Sequence, residues 1–198
     1  SDKAPENKTY VCDFDDNGVS GNLSKVNITN LEELKIEIGD SDDLSKNFTG
    51  KQKINFKDNG TILLDFDFDF DSKTLDLTNI HLQKQSDNTR GSLIVKGLNL
   101  SVDENKTLYV DHLNSSLKTV CIKDAEIDTT DEISSKCNGG SEYILTCDGT
   151  ENNGYNCTDL GSQYKIMGLK HSGVIEQAPC QESWGCIAWS ECNQGTQT

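Results

Sequence analysis

The sequence is short of apolar residues and has no long apolar run. Apolar residues make up 33% of the 198 residues and aromatic residues 7%, shares that are low for a globular domain. No segment approaches the roughly 18 to 20 apolar residues of a membrane-spanning helix, and no basic-then-apolar leader opens the chain at Ser1. We therefore expect a thin hydrophobic core, no membrane insertion by this segment, and a signal peptide that has already been removed.

The sequence also lacks the motifs of enzymes and of nucleic-acid-binding proteins. His81, His112 and His171 are scattered, and the absence of His-x-x-x-His and Cys-x-x-Cys pairs gives a zinc site little support. No Gly-x-Gly-x-x-Gly or phosphate-binding loop occurs. The 33 acidic residues outnumber the 18 lysines and arginines, and a net charge of -15 disfavours nucleic acid and anionic lipid as partners. We predict that the protein is not an enzyme.

Helical periodicity is absent, prolines number only two, and apolar residues alternate with polar ones instead. Leu and Phe alternate with Asp through 64–71, which predicts a half-buried antiparallel strand. The alternation at 75–77 slips in phase before 80–82, which predicts a bulge. We predict an all-β protein: an antiparallel β-sandwich, then a small disulfide-rich β domain and a short tail module. Further strands are predicted at 34–38, 92–98, 107–113, 117–123, 142–147, 163–167 and 173–177, with hairpin turns at Asn17-Gly18 and Asn59-Gly60.

Asparagine occurs in an unusual sequence context. Nine of the 18 asparagines begin an Asn-x-Ser/Thr triplet, or sequon, where chance would give about three. Sequons accept N-linked glycans, which are large and hydrated and stay outside the fold, although turns rich in Asn, Ser and Thr could also produce triplets by accident. Because Asn27 and Asn99 fall inside predicted strands, their side chains must point outward. The predicted glycosylation sites are Asn7, Asn22, Asn27, Asn47, Asn59, Asn99, Asn105, Asn114 and Asn156.

The eight cysteines indicate an oxidising compartment, because an even number suits a fully paired secreted framework. Cys147 and Cys157 flank a Gly/Asn-rich loop and are a plausible local disulfide, while the other pairings stay open. Only one cysteine precedes position 120, which suggests a sandwich domain at 1–116, a disulfide-rich domain at 117–178 and a tail at 179–198. The predicted disulfide cysteines are Cys12, Cys121, Cys137, Cys147, Cys157, Cys180, Cys186 and Cys192.

The tail resembles the opening of a thrombospondin type 1 repeat, a small extracellular module. The resemblance lies in Trp189-Ser190-Glu191-Cys192 followed by Gly195. It departs from the family where Cys186 replaces a usual Trp, and the family's later Arg and Cys residues are missing. The alternative is a loop stapled by cysteines. The resemblance implies adhesion or assembly outside the cell and no catalysis.

The acidic sequence also invites metal cations. The segment 13–18 fits the opening of a calcium-binding loop, in which Asp13, Asp15 and Asn17 would supply oxygen ligands. Ser24 stands where the bidentate Glu of such loops is expected, and a plain hairpin turn at Asn17-Gly18 is the alternative. The four aspartates of 65–71 are too far apart to hold one ion together, so we expect a solvated face, or an ion shared at a subunit contact.

Together, the sequons, the acidic charge, the β periodicity and the tail resemble N-glycosylated surface proteins of archaea. Such proteins build surface layers, threads and adhesive filaments. The resemblance implies an extracellular structural glycoprotein that assembles with copies of itself, in which the stretch Ser1 to Tyr10 could add to a neighbour's sheet edge. The alternative is a monomeric adhesin or receptor ectodomain that binds sugar or protein.

Overall fold

The computed structural model describes residues 18–85, 88–98 and 100–177 and shows an all-β fold with two disulfides. The prediction of an all-β, disulfide-containing protein is confirmed. Two short 3-10 turns, Leu23–Lys25 and Thr130–Glu132, are the helical elements of this part of the chain, and neither is long enough to cross a membrane. The strands are β1 (Val19–Ser20), β2 (Asn27–Thr29), β3 (Leu34–Ile38), β4 (Lys51–Asp58), β5 (Thr61–Asp69), β6 (Leu75–Asp76), β7 (His81–Lys84), β8 (Ser92–Lys96), β9 (Lys106–Asp111), β10 (Thr119–Lys123), β11 (Glu142–Thr146), β12 (Asp148–Asn152), β13 (Tyr155–Asp159), β14 (Gln163–Leu169) and β15 (Gly173–Gln177).

Two large sheets pack against each other. The six-stranded sheet has the order β11-β10-β15-β8-β7-β2, and the seven-stranded sheet has the order β12-β13-β14-β9-β5-β4-β3. All neighbouring strands within them are antiparallel except β2 and β7, which run parallel. The strands β1 and β6 form a separate parallel pair.

The main core lies between the two sheets, where the alternating strands turn their apolar side chains inward. On β5 the side chains of Leu64, Phe66 and Phe68 are each at most 2% exposed. They join Leu108 of β9 and Ile166 of β14 in one buried cluster. Because both sheets concentrate their apolar side chains on the inner faces, a chain with 33% apolar residues still forms a continuous core.

The six-stranded sheet is also covered on its outer side. Residues 124–141 cross that side and bury Ile127 and Ile133 against Ile94 of β8. A disulfide between Cys121 of β10 and Cys137 holds this segment in place. We call residues 124–141 the stapled segment. Burial on both faces explains why β8 and β10 have four consecutive buried residues each, without alternation.

The turn prediction at Asn59-Gly60 is confirmed. Asn59 and Gly60 have φ values of 47° and 81°, as a type I′ turn between β4 and β5 requires. The segment 75–82 was predicted as one bulged run, and this is wrong. Leu75–Asp76 pairs with β1, whereas His81–Lys84 enters the six-stranded sheet, so the phase slip marks a passage between sheets.

The sheets do not divide at the predicted boundary between residues 116 and 117. In the six-stranded sheet β15 lies between β8 and β10, and in the seven-stranded sheet β14 lies between β9 and β13. Strands from both sides of the boundary therefore share both sheets and the main core. The predicted domain boundary is wrong. It was placed by the uneven distribution of cysteines, but the described disulfides join nearby segments within one sandwich. The predicted tail, 179–198, lies outside the described residues.

Candidate glycan-bearing and contact surfaces

The sequon asparagines of the described chain lie at the surface. Five are exposed and two, Asn114 and Asn156, are half-buried. Asn27 is exposed on the edge strand β2, as its place in a strand required, whereas Asn7 and Asn99 lie outside the described residues. The exposed five are Asn22, Asn27, Asn47, Asn59 and Asn105.

Two of these sequons adopt the same local geometry. Asn22 Oδ1 accepts hydrogen bonds from Ser24 N at 3.0 Å and from Ser24 Oγ at 2.5 Å. Asn114 Oδ1 accepts from Ser116 N at 3.2 Å and from Ser116 Oγ at 2.6 Å. Such Asx turns arise because a short side chain can bond to its own chain two residues on. They occupy the amide oxygen and direct Nδ2, the glycan-accepting atom, elsewhere.

At two other sequons Nδ2 itself is engaged. Asn59, in the β4–β5 turn, donates its Nδ2 to Glu32 Oε2 at 2.7 Å in the segment before β3. Asn156 Nδ2 donates to the carbonyl oxygen of Gly149 on the neighbouring strand β12. The sequence motif gives no sign of this difference, because it arises from contacts with residues outside the triplet.

No sequon falls between residues 115 and 155. This stretch contains β10, the stapled segment, β11 and all of β12, so the stapled segment and the adjoining edge strand β11 carry no predicted sugar. We call these two elements, residues 124–146, the sequon-free face. Beside it a groove of about 350 Å³ opens between Arg90, Ile133, Ile175 and Gln177.

A buried carboxylate fixes the backbone of the sequon-free face. Glu142 of β11 accepts hydrogen bonds from Ser134 N at 2.9 Å and Gly139 N at 2.7 Å, and from the Ser134 hydroxyl. Its side chain is 1% exposed and lies 3.3 Å from Lys123 Nζ. Although burial raises the pKa of Glu142, the hydrogen bonds and Lys123 outweigh it and lower the pKa to about 2. The carboxylate is therefore ionised at neutral pH and ties both ends of 134–139 to the sheet.

The acidic face of β5 is neutralised by lysines rather than wholly solvated. Asp65 is only 6% exposed and lies 2.8 Å from Lys53 Nζ. It also accepts a hydrogen bond from the Tyr109 hydroxyl at 2.9 Å, and burial with this contact raises the pKa of Tyr109 to about 12. Asp67 pairs with Lys51 at 3.4 Å. The expectation of a solvated face is therefore wrong for Asp65, because neighbouring strands supply its partners.

The described residues offer little for a metal ion. Cys121, Cys137 and Glu142 form their one cluster of potential ligands, but the two sulfur atoms are bonded to each other and cannot bind metal. The predicted calcium ligands Asp13, Asp15 and Asn17 lie outside the described residues.

The histidines have structural surroundings. His112 Nδ1 lies 3.2 Å from Asp159 Oδ1 and Nε2 lies 3.2 Å from the Asn114 carbonyl oxygen, while the ring packs on Tyr164 at 4.3 Å. His171 Nδ1 lies 3.0 Å from Glu126 on the surface. The His112 contact joins a loop to the end of β13, and the His171 contact joins two loops.

The described sequons lie within 22–59, within 105–114 and at 156, whereas 60–98 and 115–155 contain none. The covalently stapled face on the outer side of the six-stranded sheet belongs to the second of these sequon-free stretches. The two disulfides indicate an oxidising compartment. No family model, curated protein or solved structure matches this chain.

Proposed function

We propose that this chain is an extracellular structural glycoprotein, a subunit that assembles with copies of itself into a cell-surface filament or layer. The observation that carries the proposal is the unequal placement of the sequons. A glycan is too large and hydrated to be buried in a subunit contact. An assembling subunit therefore needs a surface without glycans, and the sequon-free face offers one.

The construction of this face supports the same function. The Cys121–Cys137 disulfide and the Glu142 hydrogen bonds hold the stapled segment in one conformation. Association costs less conformational entropy when the contacting surface is already ordered. A face that is rigid and free of sugar is well suited to repeated contacts between identical subunits.

The proposal also includes the features predicted outside the described residues. The chain resembles archaeal surface proteins that assemble in this way. Addition of Ser1 to Tyr10 to a neighbour's sheet edge would serve assembly, and so would calcium binding at 13–18. The thrombospondin-like tail would serve adhesion or assembly in the same way.

A new glycan on the sequon-free face tests the proposal. Asp128→Asn creates an Asn-Thr-Thr triplet at 128–130, and the Asp128 side chain is 74% exposed. We expect a glycan there to abolish regular assemblies while the secreted subunit stays folded. Negative-stain electron microscopy of protein from a glycosylating host measures assembly, and circular dichroism checks the fold.

Two variants serve as controls. Asp43→Asn creates an Asn-Leu-Ser triplet where Asp43 Oδ1 already accepts from Ser45 N and Oγ, so it adds a sugar near Asn47 on the sequon-bearing side. Asp128→Ala removes the Lys96 ion pair without adding a sugar. Both should assemble normally. Regular assemblies bearing a glycan at position 128 would contradict the proposed contact, and isolated wild-type particles would favour the adhesin alternative.

A further inference from the structure

One sequon differs from the rest in its middle residue. Asn156-Cys157-Thr158 places a cysteine inside the acceptor triplet, and none of the other eight sequons does so. Cys157 is fully buried and bonded to Cys147. The conformation of this triplet is therefore constrained by a disulfide to a cysteine ten residues earlier in the sequence.

The same sequon is held on both sides by neighbouring strands. In β13, Asn156 lies opposite Glu151 of β12 and Met167 of β14. By contrast, Asn27 lies on an edge strand, and the other described sequons lie in turns and loops. Asn156 is thus the one described sequon whose backbone is enclosed in a sheet.

The acceptor atom is engaged as well. Asn156 Nδ2 donates to the Gly149 carbonyl oxygen, and Asn156 Oδ1 accepts from Thr158 Oγ1 at 3.3 Å. The disulfide fixes this arrangement, because Cys147 directly precedes β12 and its carbonyl oxygen accepts from Asp159 N at 3.1 Å. Closing the disulfide therefore brings Gly149 alongside Asn156.

Two covalent reactions thus meet at this triplet: glycan transfer to Asn156, and disulfide formation between Cys157 and Cys147. In glycan transfer the Asn156 amide nitrogen attacks the anomeric carbon of a saccharide carried on a lipid phosphate. The C–N bond forms, the C–O bond to phosphate breaks with its electrons leaving on phosphate, and the nitrogen loses a proton. In disulfide formation the two thiols give two electrons and two protons to a thiol-disulfide oxidant.

We propose that closure of the Cys147–Cys157 disulfide blocks glycan transfer to Asn156, so that the redox state of this pair sets the occupancy of the site. The transferring enzyme must draw the triplet into its own active site. A triplet cross-linked to Cys147 and paired to two strands cannot be drawn out. This inference rests on the proposed glycoprotein function, and it assigns a regulated state to one of its sites.

The test replaces Cys147 and leaves the triplet intact. We expect wild-type protein, secreted from a glycosylating host, to carry a glycan at Asn156 in only a minor fraction of molecules. In Cys147→Ala this glycoform becomes the major one, while occupancy at Asn22 and Asn114 is unchanged. Mass spectrometry of peptides from the denatured protein measures occupancy whether or not the variant folds, and a pulse of reductant during wild-type synthesis should have the same effect.

The matched control is the double variant Cys121→Ala/Cys137→Ala, which opens the other described disulfide and should leave Asn156 at its wild-type occupancy. A rise in this control would show general misfolding and overturn the inference. Full occupancy of Asn156 in molecules with an intact Cys147–Cys157 bond would also overturn it, as would no rise in Cys147→Ala. If Asn22 and Asn114 carry no glycan either, the proposed function itself fails, and this inference with it.

Discussion

At the scale of single residues, the fold is marked by charged groups that the sandwich buries. Lys106, the first residue of β9, is 2% exposed and donates its Nζ to the carbonyl oxygen of Lys170. Glu176 of β15 is fully buried and accepts from Gly91 N at 2.6 Å and Asn114 N at 3.3 Å. Each charge is compensated by backbone groups of distant segments. Sequence patterns place such residues outside, because charged side chains are rarely buried without partners.

Because of Lys106, the free energy of unfolding should change with pH in the alkaline range. Burial lowers the pKa of Lys106 from 10.5 to about 8, so between these values the unfolded chain binds more protons than the folded one. The free energy of unfolding should therefore rise with pH above 8, by at most about 1.4 kcal/mol per pH unit. Lys106→Met removes this rise. Urea unfolding at several pH values between 7 and 9 measures this rise, because unfolded tyrosines titrate near pH 10.

Lys35→Met is the control, because the Lys35 side chain is 51% exposed. In this variant the free energy of unfolding should rise with pH as it does in wild type. If it rises equally with pH in Lys106→Met and in wild type, Lys106 is not the responsible group.

At the scale of elements, the sequence identified most strands that carry several apolar residues and missed β12, which buries none. β5 was found because apolar and acidic residues alternate. β12 was read as part of a loop, because all five of its residues are exposed and it gains its strand conformation from pairing with β13. The prediction of a Cys147–Cys157 bridge across this segment is confirmed. Local patterns report burial, and an element without buried residues leaves no such pattern.

The stapled segment depends on its disulfide more than the sheets do. Cys121→Ala/Cys137→Ala should lower the free energy of unfolding by about 3 kcal/mol, since the bond closes a loop of 16 residues. The segment contains one short 3-10 turn and no strand, so it should also become the first site of proteolytic cleavage. Chemical unfolding and limited proteolysis with mass spectrometry measure the two effects.

The Cys147→Ala variant provides the comparison, because its disulfide lies in the β12–β13 hairpin. Cleavage in that variant should begin near 148–154. If 124–141 in the double variant resists cleavage as well as in wild type, apolar packing and the Glu142 hydrogen bonds hold the segment without the disulfide.

At the scale of the whole molecule, late strands complete sheets that early strands begin. β15 pairs with β8 and β14 pairs with β9, so the seven-stranded sheet is complete only at residue 169 and the six-stranded sheet only at residue 177. Contacts this distant in sequence are costly in chain entropy and slow to form. We therefore expect the described chain to fold as one sandwich rather than in two steps divided at residue 116.

A fragment comprising residues 1–116 tests this view. It lacks β10, β14 and β15, so the core side chains of Leu93, Val95 and Leu108 would be exposed to water. We expect the fragment to show no cooperative thermal unfolding and poor dispersion in nuclear magnetic resonance spectra. A well-dispersed spectrum with a cooperative transition would instead establish an independent domain at 1–116.

The sequence by itself determined the fold class, most strands, the Asn59-Gly60 turn and the Cys147–Cys157 pair, because each follows from interactions within a few residues. Only the tertiary structure decided that both halves share two sheets, that Asp65 and Lys106 are buried, and that Asn156 is enclosed between strands. These depend on which segments meet across long stretches of chain. The same distinction separates a sequon, which three consecutive residues define, from its accessibility, which the surrounding sheet controls.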